Sequence, residues 1–286
     1  MRVVFSSVQT PAGSSVRSSK RSLAQSSIRF FLLLLGALVG VGQVDAESNP
    51  LPPSITSAPL SVEQVVDRLI RKDEERAQAL RHSESTRVYR LSYRGFPGDR
   101  DAEMKVDATY DSPSSKSFKI ISQSGSKLIM DRVFKRLLDS EKEAIEPDMH
   151  ARMLLNRDNY YIALIGFESP SVNSSDKGPQ YVLAVYPKEK SKFLYQGKVW
   201  VDATDFAVTR IDAEPAQNPS FWTKKNEIHH EYIKVENFWL PQRNESISYI
   251  RLGGRATLTI DYSNYQVIDS RRVSKTAKAS PAVGSR

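Results

Sequence analysis

The sequence predicts an α+β fold, one long, strongly curved antiparallel sheet forming a half-open β-barrel of about ten strands, with two or three helices as its lid. Three observations predict it. Helical spacing is confined to the first half of the chain, period-two patterning fills the rest, and strand and helix never alternate as a parallel sheet would require.

The elements follow in order. Arg17, Lys20, Arg21 and Arg29 precede the apolar run Phe30 to Val41, and Val44-Asp45-Ala46 supplies a small-x-small triplet. Residues 1–46 therefore read as a secretory signal peptide. The run is shorter than the roughly 20 residues a spanning helix needs, and an uncleaved inner-membrane signal anchor is the alternative. Residues 47–60 form a flexible Pro/Ser-rich spacer. Residues 61–268 form the folded domain, and 269–286 a disordered basic tail.

Within the domain, Ser61 and Gln64 stand at capping-box spacing before Val62, Val65, Val66, Leu69 and Ile70, which predicts a helix from Ser61 through about His82. Its apolar stripe stops at Ile70, so the second half is expected to project or bend. Three strands follow, in TRVYRLSYRG, EMKVDATYD and SFKIIS. Helical spacing returns in SKLIMDRVFKRLLDSEKEAI, with a further helical piece in PDMHARMLL. Seven strand candidates complete the chain: 160–167, 181–186, 193–202, 206–214, 222–235, 244–252 and 256–262.

The hairpin GKVWVDATDFAVTRIDAEPA, residues 197–216, is apolar on both faces. Simple alternation puts Val199, Val201, Ala207, Ile211 and Ala213 on one side and Trp200, Phe206 and Val208 on the other. Two or three helices cannot cover ten strands on both faces, so a curled sheet with an apolar inside offers room for an elongated apolar ligand.

Composition narrows the chemistry. The net charge of +8 resides in the two ends: residues 47–270 hold 31 bases against 32 acids. The body thus has no basic excess to offer nucleic acid. Cysteine is absent, which removes disulfides, thiol catalysis and lipid attachment after the signal. An exported protein of this kind fits the bacterial periplasm, although sequons at Asn173 and Asn244 leave a eukaryotic secretory route open. No phosphate-binding loop, dinucleotide fingerprint or nucleophile elbow occurs. His229 and His230 are adjacent on a strand, point to opposite faces and cannot share a metal. The carboxylates Asp202, Asp205, Asp212 and Glu214 could in principle support glycoside chemistry, but Asp202 and Asp205 read first as turn formers.

The stretches GKVWVDATDFAVTRIDAEPAQNPSFW and FWLPQRNESISYIRLGGRATLTIDYSNYQV, within this order of pieces, resemble the outer-membrane lipoprotein-sorting protein family, the LolA/LolB-like superfamily. The resemblance implies a half-open barrel with a hydrophobic cavity, no cofactor and no catalytic residues. Its implied partners are lipid acyl chains or lipoproteins, with envelope membrane proteins beside them and no nucleic acid. The implied function is an exported carrier in lipoprotein sorting; the alternative is an envelope-stress sensor or interaction module of the same fold. On this reading Tyr89, Leu91, Tyr93, Trp200, Phe206, Tyr232 and Trp239 are the cavity candidates, and Arg90 and Arg94 the candidates for a polar clasp to the lid.

Overall fold

The computed structural model describes residues 60–113, 115–143, 152–169, 178–191, 193–218, 221, 223–251 and 253–269. The signal segment, most of the spacer and tail, His150, Asn173 and most of PDMHARMLL lie outside them. Residues 152–155 of that last stretch are described and contain no helix.

Helix α1 (Val62–Ala79) opens on the predicted capping box: the Gln64 amide donates to Ser61 Oγ at 3.3 Å, and the Ser61 amide donates to Gln64 Oε1 at 3.0 Å. Val65, Val66 and Leu69 are buried, and the second half is buried too, through Arg76, Ala77 and Ala79. The helix also stops three residues earlier than its sequence pattern suggests. Leu80 still donates its amide to Arg76 O, yet it already pairs with Asp269 as the first residue of a strand.

The strands are β1 (Leu80–Arg94), β2 (Arg100–Asp111), β3 (Ser115–Gly125), β4 (Tyr160–Glu168), β5 (Gln180–Pro187), β6 (Tyr195–Asp202), β7 (Val208–Pro215), β8 (Thr223–Val235), β9 (Phe238–Ile250) and β10 (Gly254–Asp269). Between β3 and β4 run α2 (Lys127–Ile129), a π-helical turn (Met130–Phe134) and α3 (Lys135–Glu143). The strands form one antiparallel sheet in the order β3-β2-β1-β10-β9-β8-β7-β6-β5-β4. Sequence neighbours pair everywhere except at the centre, where β1 meets β10, and at the edges, where β3 and β4 are not paired. The sheet is therefore open at a seam whose two sides are linked in sequence by the α2–α3 segment.

Direct antiparallel partners project side chains to the same face, so the register defines one inner row across all ten strands. It reads Leu164, Leu183, Val199, Ile211, His230, Asn244, Ile260, Tyr89, Met104 and Gln123. Helix α1 packs on the β4–β8 half, where Val65, Val66 and Leu69 meet Leu183, Val199, Ile211 and Ile228. The α2–α3 segment packs on the other half, where Phe134, Val133, Leu137 and Leu138 meet Tyr89, Leu91, Met104, Val106 and Ile260. A third, smaller cluster joins Ala79, Leu80, Tyr110, Phe238 and Leu240.

The β6–β7 hairpin resolves its two apolar faces by a bulge. Trp200 pairs with Arg210, but Val201 pairs with Val208, so Thr209 is the extra residue and Val208 turns to the same face as Val199 and Ile211. Phe206, in the left-handed region at φ 48°, also folds inward and stacks on Tyr181 at 6.2 Å. Only Trp200 of that predicted outer set lies on the convex side. There the Arg210 guanidinium sits 4.6 Å from its ring and its Nε1 donates to Glu168 at 3.0 Å.

Gly197 makes the close approach of β6 to β7 possible. It has φ 151°, and a Cβ there would lie 2.3 Å from Asp212 O and 2.6 Å from Ala213 Cα. Gly197→Ala is expected to destabilise the protein by about 1–3 kcal/mol from backbone strain alone, read as a lower urea midpoint. Gly98→Ala, where φ is also positive but open space surrounds the Cβ position, is expected to cost less.

Candidate functional site

The concave face is the candidate site. Arg157 ties the outer side of α1 at Asp67 and the Glu63 carbonyl, and two further polar clasps, partly or wholly buried, hold the cover in place. The first is centred on Glu141 of α3. Its position follows from helical spacing: Leu137, Leu138 and Glu141 share the buried stripe, so the carboxylate is carried into the interior with the leucines. There Glu141 Oε2 accepts from Arg87 Nη1 at 2.5 Å and from Lys116 Nζ at 2.6 Å, while Oε1 accepts from Tyr89 Oη at 2.8 Å. Arg87 is further held by Ser85 Oγ at 3.3 Å and lies against the rings of Phe118 and Tyr262. Strands β1 and β3 are thus bonded to α3 through one carboxylate.

Burial alone would raise the Glu141 carboxyl, but Lys116 and Arg87 outweigh it and hold its pKa below the usual carboxylate value. Burial pushes Lys116 down to about 8 against the pull of Glu141. The Tyr89 hydroxyl is driven well above its ordinary value by burial and by the same carboxylate, which keeps it a donor.

The second clasp fixes α1 to the β6–β7 turn. Asp202 Oδ1 shapes that turn by accepting from the amides of Thr204 at 2.9 Å and Asp205 at 2.6 Å. Arg76 then donates to the carbonyls of Asp205 at 2.9 Å and Phe206 at 3.0 Å, and the Arg68 guanidinium lies 5.2 Å from the Phe206 ring. The Asp205 carboxylate accepts from Trp239 Nε1 at 2.8 Å and pairs with Lys234 at 2.5 Å.

Between the two apolar clusters the inner face turns polar. Asn226, His230 and Asn244 are buried there, each at 3–4% exposure. Asn226 Oδ1 accepts from Ser246 at 3.0 Å and Ser248 at 3.1 Å, and Asn244 Nδ2 donates to Tyr262 Oη at 3.0 Å. Asn244 Oδ1 and both ring nitrogens of His230 have no hydrogen-bond partner among the described residues. Burial and the neighbouring His229 push His230 down to about 4, so it is neutral at pH 7. Each buried polar group left without a partner costs about 1–3 kcal/mol.

The sequence candidates distribute over these parts. Tyr89, Leu91 and Tyr93 gather in the cluster under α3. Phe206, Tyr232 and Trp239 gather in the cluster under α1, and Trp200 is on the opposite face. Arg90 and Arg94 alternate with Tyr89 and Leu91 and so lie on the convex side. Arg90 pairs with Glu103 and Asp261, and Arg94 with Asp101. Asp202 and Glu214 stand at opposite ends of the β6–β7 pair, the one in the turn and the other beside Lys225. His229 faces outward to Asp212 while His230 faces inward. No group of three or more metal-ligating side chains occurs among the described residues. Asn244 of the second sequon is buried and bonded to Tyr262.

Sequence reasoning missed Glu141, Arg87, Lys116, Arg76 and the His230–Asn244 pair. A signal existed for Glu141, a lone acid at stripe spacing, and for Asn226-x-Ile228-x-His230-x-Tyr232, a period-two face that mixes polar with apolar.

Two outcomes are expected. Glu141→Gln leaves two buried cations without their counter-charge, so urea unfolding should show a loss of about 3–5 kcal/mol, with faster amide exchange in α3. For His230 the unfolded state binds a proton near pH 6.5 and the native state only near 4. Its contribution is therefore present above 6.5 and lost as pH falls toward 4, with a slope of up to about 1.4 kcal/mol per pH unit. Stability measured from pH 7 to pH 4 should fall less steeply in His230→Gln than in the unaltered protein.

No family model and no curated protein matches the chain. Among solved structures it is similar to a DUF1329 family protein from Desulfovibrio piger, at 19% identity and TM-score 0.35, covering 72% of this chain and 92% of that one. It is also similar to an outer membrane lipoprotein-sorting protein domain from Vibrio parahaemolyticus, at 10% identity and TM-score 0.35, covering 75% and 98%. A LolA superfamily protein from Nitrosomonas europaea is similar at 11% identity and TM-score 0.32, covering 73% and 94%. At these identities and TM-scores the likeness identifies no family and reaches no residue of the site.

Proposed function

We propose that this chain is an exported, non-catalytic carrier that takes the acyl chain of a lipid or lipoprotein on the concave face of its sheet. The observation that carries the reading is the way that face is covered. One inner row crosses ten strands, the edges β3 and β4 do not pair, and the apolar floor at each end is roofed by helix held through a localised polar clasp. A cover held by a few side-chain ties can lift without dismantling the sheet, whose own pairing runs through backbone hydrogen bonds. An acyl chain would then take the place of helix side chains against Val106, Met104, Val199 and Ile211. Each methylene so buried contributes about 0.8 kcal/mol, enough for tight uptake without any catalytic group.

A second reading, a partner-binding module, rests on the edges. Strand β4 and its neighbour β5 expose Tyr161, Ile165 and Tyr186, and β3 exposes Ile120 and Ile121, beside edge backbone groups with no strand partner among the described residues.

Organic extraction of the purified protein followed by mass spectrometry is expected to recover bound lipid, and the delipidated protein to bind a fluorescent fatty acid. Glu141→Gln should speed both uptake and release of that probe. A protein that yields no lipid and binds no probe would remove the carrier reading in favour of the edge-strand one. Sequencing of the secreted form is expected to begin at Glu47.

A further inference from the structure

We propose that the polar strip at the middle of the inner face, centred on His230 and Asn244, is a head-group subsite for an uncharged amphiphile bearing hydroxyl or amide groups. The inference rests on the carrier reading above and gives its ligand a polar end.

Position supports this first. His230 and Asn244 are direct partners on β8 and β9, so their side chains leave the same face of adjacent strands, with Cβ atoms about 5 Å apart. On the same row they stand between Ile211 on one side and Ile260 on the other. The apolar floor under α1 ends at this pair, and the floor under α3 begins beyond it. An acyl chain lying along either floor would bring its polar end to the strip.

Valence decides the class of head group. Neutral imidazole has one N–H to give and one ring nitrogen to receive, and neither is used among the described residues. Asn244 gives its amide to Tyr262, which leaves Oδ1 waiting for a donor. The unmet set is therefore two acceptors and one donor, held at 3–4% exposure. A carboxylate or phosphate supplies acceptors only and would leave Asn244 Oδ1 unmet. A quaternary ammonium supplies neither donors nor acceptors. A vicinal diol or a primary amide supplies both donors and an acceptor in one small uncharged group, which suits a site where burial keeps the imidazole neutral.

The test compares four probes on one C18:1 chain, monooleoylglycerol, oleamide, methyl oleate and oleate, by displacement of a fluorescent fatty acid from the full chain at pH 7.5, below micelle formation. Monooleoylglycerol and oleamide are expected to bind about tenfold or more tightly than methyl oleate, which has the same chain and no donor. His230→Phe and Asn244→Leu, checked for folding by circular dichroism, should lose that preference while keeping the affinity for methyl oleate. Equal binding of methyl oleate and monooleoylglycerol by the unaltered protein would overturn the subsite and leave the carrier reading standing. Preference retained in both variants would do the same. Binding of none of the four would overturn the carrier reading and the subsite together.

Discussion

A sheet whose edges do not meet must have its inner face covered by something other than itself, and that constraint organises this protein. Ten strands curve around one inner row, apolar at both ends and polar in the middle, the seam between β3 and β4 stays unpaired, and α1 and the α2–α3 segment are the helices that cover the row among the described residues. Apolar contact drives both helices onto the face, but it is non-directional. Direction comes from the clasps, Arg76 reaching two carbonyls of the β6–β7 turn and Glu141 gathering Arg87, Lys116 and Tyr89.

The Glu141 clasp is costly in desolvation and strongly directional. Three charged side chains are taken out of water for it, and attraction between opposite charges roughly offsets that cost only while all members are present. Such an arrangement contributes little net stability when intact and a large penalty when broken. On the carrier reading proposed above, it suits a cover that sits in one orientation when closed and leaves as a unit. The His230–Asn244 pair is the opposite case, since its unmet groups weaken the resting protein without orienting anything within it. Features that cost stability with no structural return are where function is most reasonably sought.

Much of the fold was legible because its signals are local. The capping box at Ser61, the stripe of α1 and the alternation in β1 and β2 depend on residues within a few positions of one another, and each appears where the pattern puts it. The faces of the β6–β7 hairpin were not legible, since one extra residue, Thr209, reverses Val208 and no local preference marks that bulge. The expected polar clasp at Arg90 and Arg94 depends on a related point: strand parity separates Arg87 from Arg90, and sequence alone does not say which parity faces the helices. The partners Arg87, Lys116 and Glu141 come from three separated segments, and only the folded sheet brings them to one point. Likewise, the polar strip becomes visible only when register aligns His230 with Asn244 between two apolar floors.

The central claim is that the cover over the apolar row opens without unfolding of the sheet. The natural absence of cysteine allows a direct measurement with a single thiol at Val106→Cys, fully buried beneath the α2–α3 segment. Its rate of alkylation by a maleimide would be followed in otherwise unaltered protein, in a Glu141→Gln background and with saturating acyl ligand. The account predicts labelling faster than global unfolding, acceleration by Glu141→Gln, and protection by the ligand. Labelling at the rate of global unfolding in all three conditions would contradict it.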